Sequence, residues 1–296
     1  MVFWQAERIG VEVAEELITT LATRGGNIEL RAVAATDIGA VRAVNEDSVY
    51  TRAPIFLVAD GMGGHHYGAR ASQAIGAAFD ELLPSSEPST PAEILAVIDA
   101  ANDRIQNLIT EADGPGAVAG TTLTGVALVE VAAGDGDEIL PHWMIFNVGD
   151  SRVYSWNGRE VVQITVDHSA VHELVALGVI TPEEALVHPD RNVITRAVGS
   201  DTFVDTDLWL MPVQGHQVFI ICSDGLTKEL EDEQISATIR NHIENTHDKD
   251  TLAQALVAEA LRHGGRDNVS VVVVESTVVA PEGVEAPPSA SAEPGQ

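Results

Sequence analysis

Five acidic residues stand where the chain changes direction. Asp60 ends the apolar run Ile55-Phe56-Leu57-Val58-Ala59 and is followed by Gly61, Gly63 and Gly64. Asp224 repeats the arrangement after Phe219-Ile220-Ile221-Cys222-Ser223, with Gly225 next. Asp150 follows Asn147-Val148-Gly149, Asp267 follows Gly264-Gly265-Arg266, and Glu46 lies just ahead of Ser48 to Arg52. Hard divalent cations such as Mg2+ and Mn2+ take carboxylates, carbonyls and water as ligands. A carboxylate at the tip of a rigid strand is such a ligand, and glycine beside it lets a ligand approach the main chain, so the Gly61 carbonyl is a second donor. A single Asp-Gly pair is an ordinary turn, because Asp hydrogen-bonds local backbone and tolerates left-handed dihedrals. Repetition at distant points of the chain favours a cluster of Mg2+ or Mn2+ ions instead. The pair Glu46-Asp47 reads as a ligand with a partner behind it.

The elements that must carry these acids are legible in outline. Ile55 to Ala59 and Phe219 to Cys222 lack alternation, which predicts strands buried on both faces. Further strands are expected over Asn27–Val33, Ser48–Arg52, Gly125–Val131, Met144–Val148, Val153–Trp156, Val161–Ile164, Thr202–Met211 and Val269–Glu275. Asn157-Gly158 marks a tight hairpin, and Ala133 to Gly136 a second turn of that kind. Helices are expected over about 67–83, from Pro91 onward behind the capping box Thr90-Pro91-Ala92-Glu93, and through Ile235–Ile243 and Leu252–Ala260. Strands grouped in hairpins with helices in two pairs predict an α+β fold, the helices packed outside an antiparallel β core. Ile9, Val13, Leu17 and Leu21 recur every fourth residue, so residues 1–26 read as an N-terminal helical extension ended by Gly25-Gly26. Residues 277–296, rich in Pro, Ala, Ser and Glu, read as a disordered tail, leaving one domain over 27–276.

With 16 basic and 45 acidic residues among 296, the formal net charge is −29. That balance argues against nucleic acid or an anionic membrane as partner, and any phosphate chemistry must lean on metal ions. Cys222 is the single cysteine, so a disulfide framework within the chain and a cysteine-based zinc site are excluded. Its apolar setting disfavours a thiolate nucleophile. No apolar stretch reaches the ~20 residues of a membrane span, and no signal peptide is evident, so a cytoplasmic protein is expected. His168, His172, His188 and His216 show no ligand spacing and read as ordinary, as do His65 and His66 in their Gly-rich turn.

Taken in order, the blocks resemble the metal-dependent serine/threonine protein phosphatases of type 2C in their bacterial form. They are Asp37-Ile38-Gly39-Ala40-Val41-Arg42, Asn45-Glu46-Asp47-Ser48, Ala59 to Gly64, Gly120 to Thr124, Val148 to Arg152, Cys222 to Leu226 and Asp267-Asn268-Val269. The resemblance implies a four-layer αββα sandwich of two antiparallel sheets flanked by helix pairs. It implies two Mn2+ or Mg2+ ions, with Asp60 bridging them, Glu46 and the Gly61 carbonyl on one, and Asp224 and Asp267 on the other. Asp150 matches the ligand of a third, weaker ion. Arg42 matches the residue that grips the substrate phosphate, while Asp47 and Asn268 support the ligands from behind. The irregular stretch 167–200 resembles a mobile flap beside the active site. Met62 stands where eukaryotic relatives carry a histidine proposed as general acid. The expected activity is hydrolysis of phosphoserine and phosphothreonine on proteins by a metal-activated water, opposing a Ser/Thr kinase, by a monomer. A catalytically silent relative that binds phosphoproteins is the rival reading. A structural calcium protein is disfavoured by the lack of a twelve-residue loop of alternating acids.

Overall fold

A computed structural model describes residues 11–13, 15–63, 67–110, 117–132, 138–245 and 251–279. Strands β1 (Glu12–Val13), β2 (Leu17–Thr23) and β3 (Gly26–Asp37) open the chain. The helix expected over 1–26 is corrected here. Leu17–Thr23 is a strand paired antiparallel with β3, Leu17 opposite Ala32 and Thr23 opposite Gly26. Residues four apart share a face in a strand as well as in a helix, so the spacing of Val13, Leu17 and Leu21 did not discriminate. The β-branched content of Leu17-Ile18-Thr19-Thr20 favours the strand. Gly25-Gly26 is therefore a hairpin turn, with Gly26 at φ 119°. This hairpin joins the main sheet, so the domain starts ahead of residue 27; Ile9 lies outside the described residues.

The order continues with β4 (Asp47–Arg52), β5 (Ile55–Met62), α1 (Tyr67–Leu82), α2 (Pro91–Gln106), β6 (Gly120–Thr121), β7 (Leu123–Ala132), β8 (Ile139–Val148), β9 (Arg152–Trp156) and β10 (Val161–Gln163). Then follow α3 (Ala170–Ala176), α4 (Pro182–Ala185), β11 (Asp207–Pro212), β12 (His216–Cys222), α5 (Asp224–Thr227), α6 (Asp232–Glu244), α7 (Leu252–His263) and β13 (Val269–Val279). Thr90 caps α2 in the predicted box, its side chain accepting from Glu93 N–H while Glu93 answers to Thr90 N–H. Gly158 turns the predicted hairpin at φ 91°.

One sheet runs β3-β13-β12-β9-β10, with β1 and β2 on the outer side of β3; the other runs β11-β8-β7-β5-β4, with β6 on β5. The apolar strands serve two cores at once. Ile55, Leu57 and Phe146 face Ile75, Phe79, Ile94 and Ile98 of α1 and α2. Ile220, Val271 and Val273 face Ile235, Ile239 and Leu256 of α6 and α7. The alternate residues Phe56, Val58, Trp143, Phe219, Ile221 and Val272 meet between the sheets. Trp143 and Phe219 cross edge to face there, their centroids 5.3 Å apart. This is the expected four-layer αββα sandwich, and it explains why antiparallel strands lack alternation: both faces are covered.

Smaller differences remain. The strand expected from Thr202 begins at Asp207, and α3 forms within the stretch read as irregular. β13 runs to Val279, opposite Asn27 on β3, so the first three residues of the expected tail are strand. Residues 280–296, His65, His66 and the turn at 133–136 lie outside the described residues. No helix among the described residues is long and apolar enough to cross a membrane. Phe219 is 1% exposed and Ile18 73% exposed. Phe219→Ala should cost about 3–5 kcal/mol in urea unfolding and Ile18→Ala under about 0.5; equal costs would contradict the inter-sheet core.

Candidate functional site

The edges of the two sheets deliver the acids to one place. In the register of β4 and β5, Asp47 stands opposite Asp60. Asp224 leaves the end of β12, and Asp267 enters the neighbouring β13 from the same end. Asp150 sits on the short link between β8 and β9. A cavity of about 490 Å³ is lined by Arg42, Glu46, Asp60, Gly61, Asp150, Asp224 and Asp267, every residue expected on its wall.

Each is fixed by backbone as well as by neighbours. Asp60 donates its N–H to Thr122 Oγ1 at 3.0 Å, and its carbonyl accepts from Thr122 N–H at 2.9 Å and Thr121 Oγ1 at 3.0 Å. Thr122 Oγ1 is 2.7 Å from Ser151 Oγ, tying this strand to the Asp150 turn. Gly61 admits no side chain: a Cβ would stand 2.2 Å from Gly68 O and 2.6 Å from Glu46 O. Asp47 lies behind the wall, where Ser223 Oγ donates to its Oδ2 at 2.8 Å.

Asn268 does more than support Asp267. Its Oδ1 accepts Glu46 N–H at 2.9 Å, and its Nδ2 donates to the Ile38 and Val44 carbonyls at 2.9 and 3.0 Å. It therefore fastens the 38–46 loop, and Glu46 with it, to β13. Its own N–H donates to Asp267 Oδ1 at 3.0 Å.

So many carboxylates in one place repel one another. Burial first, then the charges of Asp47, Asp224 and Asp150, push Asp60 well above the usual carboxylate range. Burial, with Asp224 next, pushes Asp150 up to about 7. Asp47 also reaches about 7, chiefly through burial, and Asp224 is raised for the same first reason. Asp267 goes the other way. Burial alone would raise it, but a hydrogen bond from Arg42 and the charge of Lys228 hold it below the ordinary value.

Arg42 thus has a different partner from the phosphate expected for it. Its Nε is 2.7 Å and its Nη2 2.9 Å from the Asp267 carboxylate. Lys228 Nζ stands 3.0 Å from Asp267 Oδ2 and also pairs with Asp224. Among the described residues, no three acidic, histidine or cysteine side chains converge closely enough to hold an ion as they lie. Two of the acids, Asp224 and Asp267, are thus paired with basic side chains. The donor set nevertheless fits divalent ions. An ammonium bridging two carboxylates marks a position that attracts positive charge. Asp47 Oδ1 and Asp224 Oδ1 are buried with no hydrogen-bond partner, which is costly unless a cation or donor meets them.

Lys228 escaped the sequence reading, although it falls four residues after Asp224, where a helix brings side chains together. Arg191, Asn192 and Ile194 of the flap also line the cavity; irregular sequence offered no signal for them. At the root of the flap, Arg152 holds Asp167 through contacts of 2.7–3.1 Å.

The family profile for protein phosphatase 2C matches residues 40–262. The chain belongs to the protein phosphatase 2C family. A serine/threonine protein phosphatase of Mycobacterium tuberculosis, PstP, is 39% identical over 253 residues, 83% of this chain and 45% of that relative. The chain thus spans less than half the length of this mycobacterial relative. The serine/threonine phosphatase stp of Listeria monocytogenes is 33% identical over 252 residues, covering 81% of this chain and 93% of that one. Among solved structures of the family, the PstP catalytic domain in complex with two manganese ions superposes with a TM-score of 0.69 at 36% identity. It covers 84% of this chain and 99% of that chain.

The raised acids set a pH dependence. Between about pH 4, where free Asp ionises, and about pH 7, the folded chain keeps protons on Asp47 and Asp150 that the unfolded chain has lost. More protons bound in the folded state means that stability falls as pH rises. The thermal midpoint in chelator should therefore be lower at pH 8 than at pH 5.5, and Asp60→Asn should shrink the drop. A wild-type midpoint that rises across this interval contradicts the raised proton affinity of these buried acids.

Proposed function

We propose that this chain hydrolyses phosphoserine and phosphothreonine on proteins with two Mn2+ or Mg2+ ions in the acidic cavity. The observation that carries the reading is the meeting of Glu46, Asp60, Asp224 and Asp267 at one cavity wall, beside Arg42. Membership of the protein phosphatase 2C family, and the names of the mycobacterial and listerial relatives, support it. The manganese complex of the PstP catalytic domain supports a two-ion centre. Bound ions of this kind supply Lewis acidity and a nucleophilic water at neutral pH.

The chain's own residues prepare the site. Asp60, Glu46, the Gly61 carbonyl, Asp224 and Asp267 hold the ions, and Asp150 offers a further, weaker position. Asp47 and Asn268 keep these ligands in place through Ser223 and the 38–46 loop. Arg42 reaches the same wall with a planar fork of donors, which suits a phosphate dianion once its hold on Asp267 is exchanged. Covalent catalysis has no candidate in Cys222, which is fully buried with its thiol pushed up to about 12. Transfer of the phosphoryl group goes directly to water. Substrates are phosphoproteins, a Ser/Thr kinase among them, and the enzyme acts in the cytoplasm as a monomer. The complete set of acids disfavours a silent, phosphoprotein-binding relative.

With a phosphothreonine peptide and Mn2+, Asp60→Ala should lower turnover at least about a thousand-fold. Arg42→Ala should raise KM by about ten-fold or more, the worth of a charged hydrogen bond. EDTA should stop the wild type. Undiminished turnover by Asp60→Ala would reject the assignment.

A further inference from the structure

We propose that His168 is a positioning residue for Asp150, its imidazole holding the Gly149–Asp150 turn against the segment that returns to β11. The inference rests on the reading of Asp150 as an ion ligand and deepens it. His168 has no ligand spacing in the sequence, yet it is only 6% exposed. Its Nδ1 accepts Gly149 N–H at 3.1 Å, and its own backbone N–H donates to Gly149 O at 2.9 Å. One residue thus grips both polar groups of the glycine that precedes Asp150. The Gly149 carbonyl is shared with Asn147 Nδ2, which donates to it at 3.1 Å, whereas the Gly149 N–H is held by the His168 ring, and the glycine sits at φ 108°.

The far side of the ring faces the other wall. Nε2 is 3.2 Å from Asp207 Oδ2, the carboxylate that Arg196 Nη1 holds through Oδ1 at 2.8 Å. Arg196 Nη1 also lies 3.3 Å from Nε2. Because Nδ1 is an acceptor, the proton of the neutral ring belongs on Nε2, directed at Asp207. Burial favours that neutral form. The His168 carbonyl accepts Thr195 N–H at 2.9 Å, and Thr195 adjoins Ile194 on the cavity wall. His168 therefore links the turn that presents Asp150 to the flap segment facing it.

Two substitutions separate the two ends of the ring. His168→Asn keeps an acceptor near the place of Nδ1 but does not reach Asp207. His168→Gln reaches towards Asp207 but leaves Gly149 N–H without its acceptor. In the full chain, amide exchange at Gly149 should be about ten-fold or more faster in His168→Gln than in wild type, and near wild type in His168→Asn. In calorimetric titration with Mn2+ alone, the weakest binding step should weaken about ten-fold in His168→Gln and stay within about two-fold in His168→Asn, the scale on which residues behind a ligand act. Thermal melts check that both variants fold. Equal effects of the two substitutions on Gly149 exchange would overturn the proposal, because the ring would then be filling space alone. If Asp150→Asn leaves every Mn2+ step unchanged, the ligand reading of Asp150 fails and the proposal with it.

Discussion

Electrostatic repulsion among carboxylates is the constraint around which this fold is arranged. Two sheets converge so that Asp60, Asp150 and Asp224 share one cavity, where burial first and neighbouring carboxylates next lift their affinity for protons. Like charges held this close, partly away from water, require compensation by protons, basic side chains or divalent ions. Asp267 shows the second solution, with Arg42 and Lys228 against its carboxylate. The same attraction that brings Lys228 between Asp224 and Asp267 is what a divalent ion would exploit, with twice the charge and a preference for oxygen.

The sandwich supplies the rigidity that such crowding demands. Strands covered on both faces have little freedom to relieve repulsion by moving apart. The inter-sheet layer of Phe56, Trp143, Phe219 and Val272 sets the spacing of the sheets. Hydrogen bonds then fix the acids at the rim: Thr121 and Thr122 hold the Asp60 backbone, and Asn268 draws the loop bearing Glu46 onto β13. An acid placed on a loop without these ties would simply turn to solvent.

Much of this was legible in the chain itself. Apolar runs that end in Asp-Gly declared both the strands and the acids at their tips, because a two-sided strand and a glycine turn each leave a local signature. The capping box at Thr90 marked the start of α2 for the same reason. What escaped was either ambiguous in period or dependent on distant partners. A spacing of four fits a strand as well as a helix, which misplaced Leu17–Thr23. His168 carries no local sign that its ring meets Gly149 and Asp207, nor Arg42 that its fork meets Asp267 across the fold. Such partnerships are created by topology, and no window of sequence contains them.

These acids are assembled, in this reading, to hold a pair of divalent ions. Diffraction from Mn2+-soaked crystals at the manganese absorption edge tests it most directly. Two anomalous peaks are expected within ligand distance of Asp60, one shared with Glu46 and the other with Asp224 and Asp267, with Lys228 withdrawn from both carboxylates. No peak in the cavity, with the Lys228 ammonium still seated between Asp224 and Asp267, would contradict it.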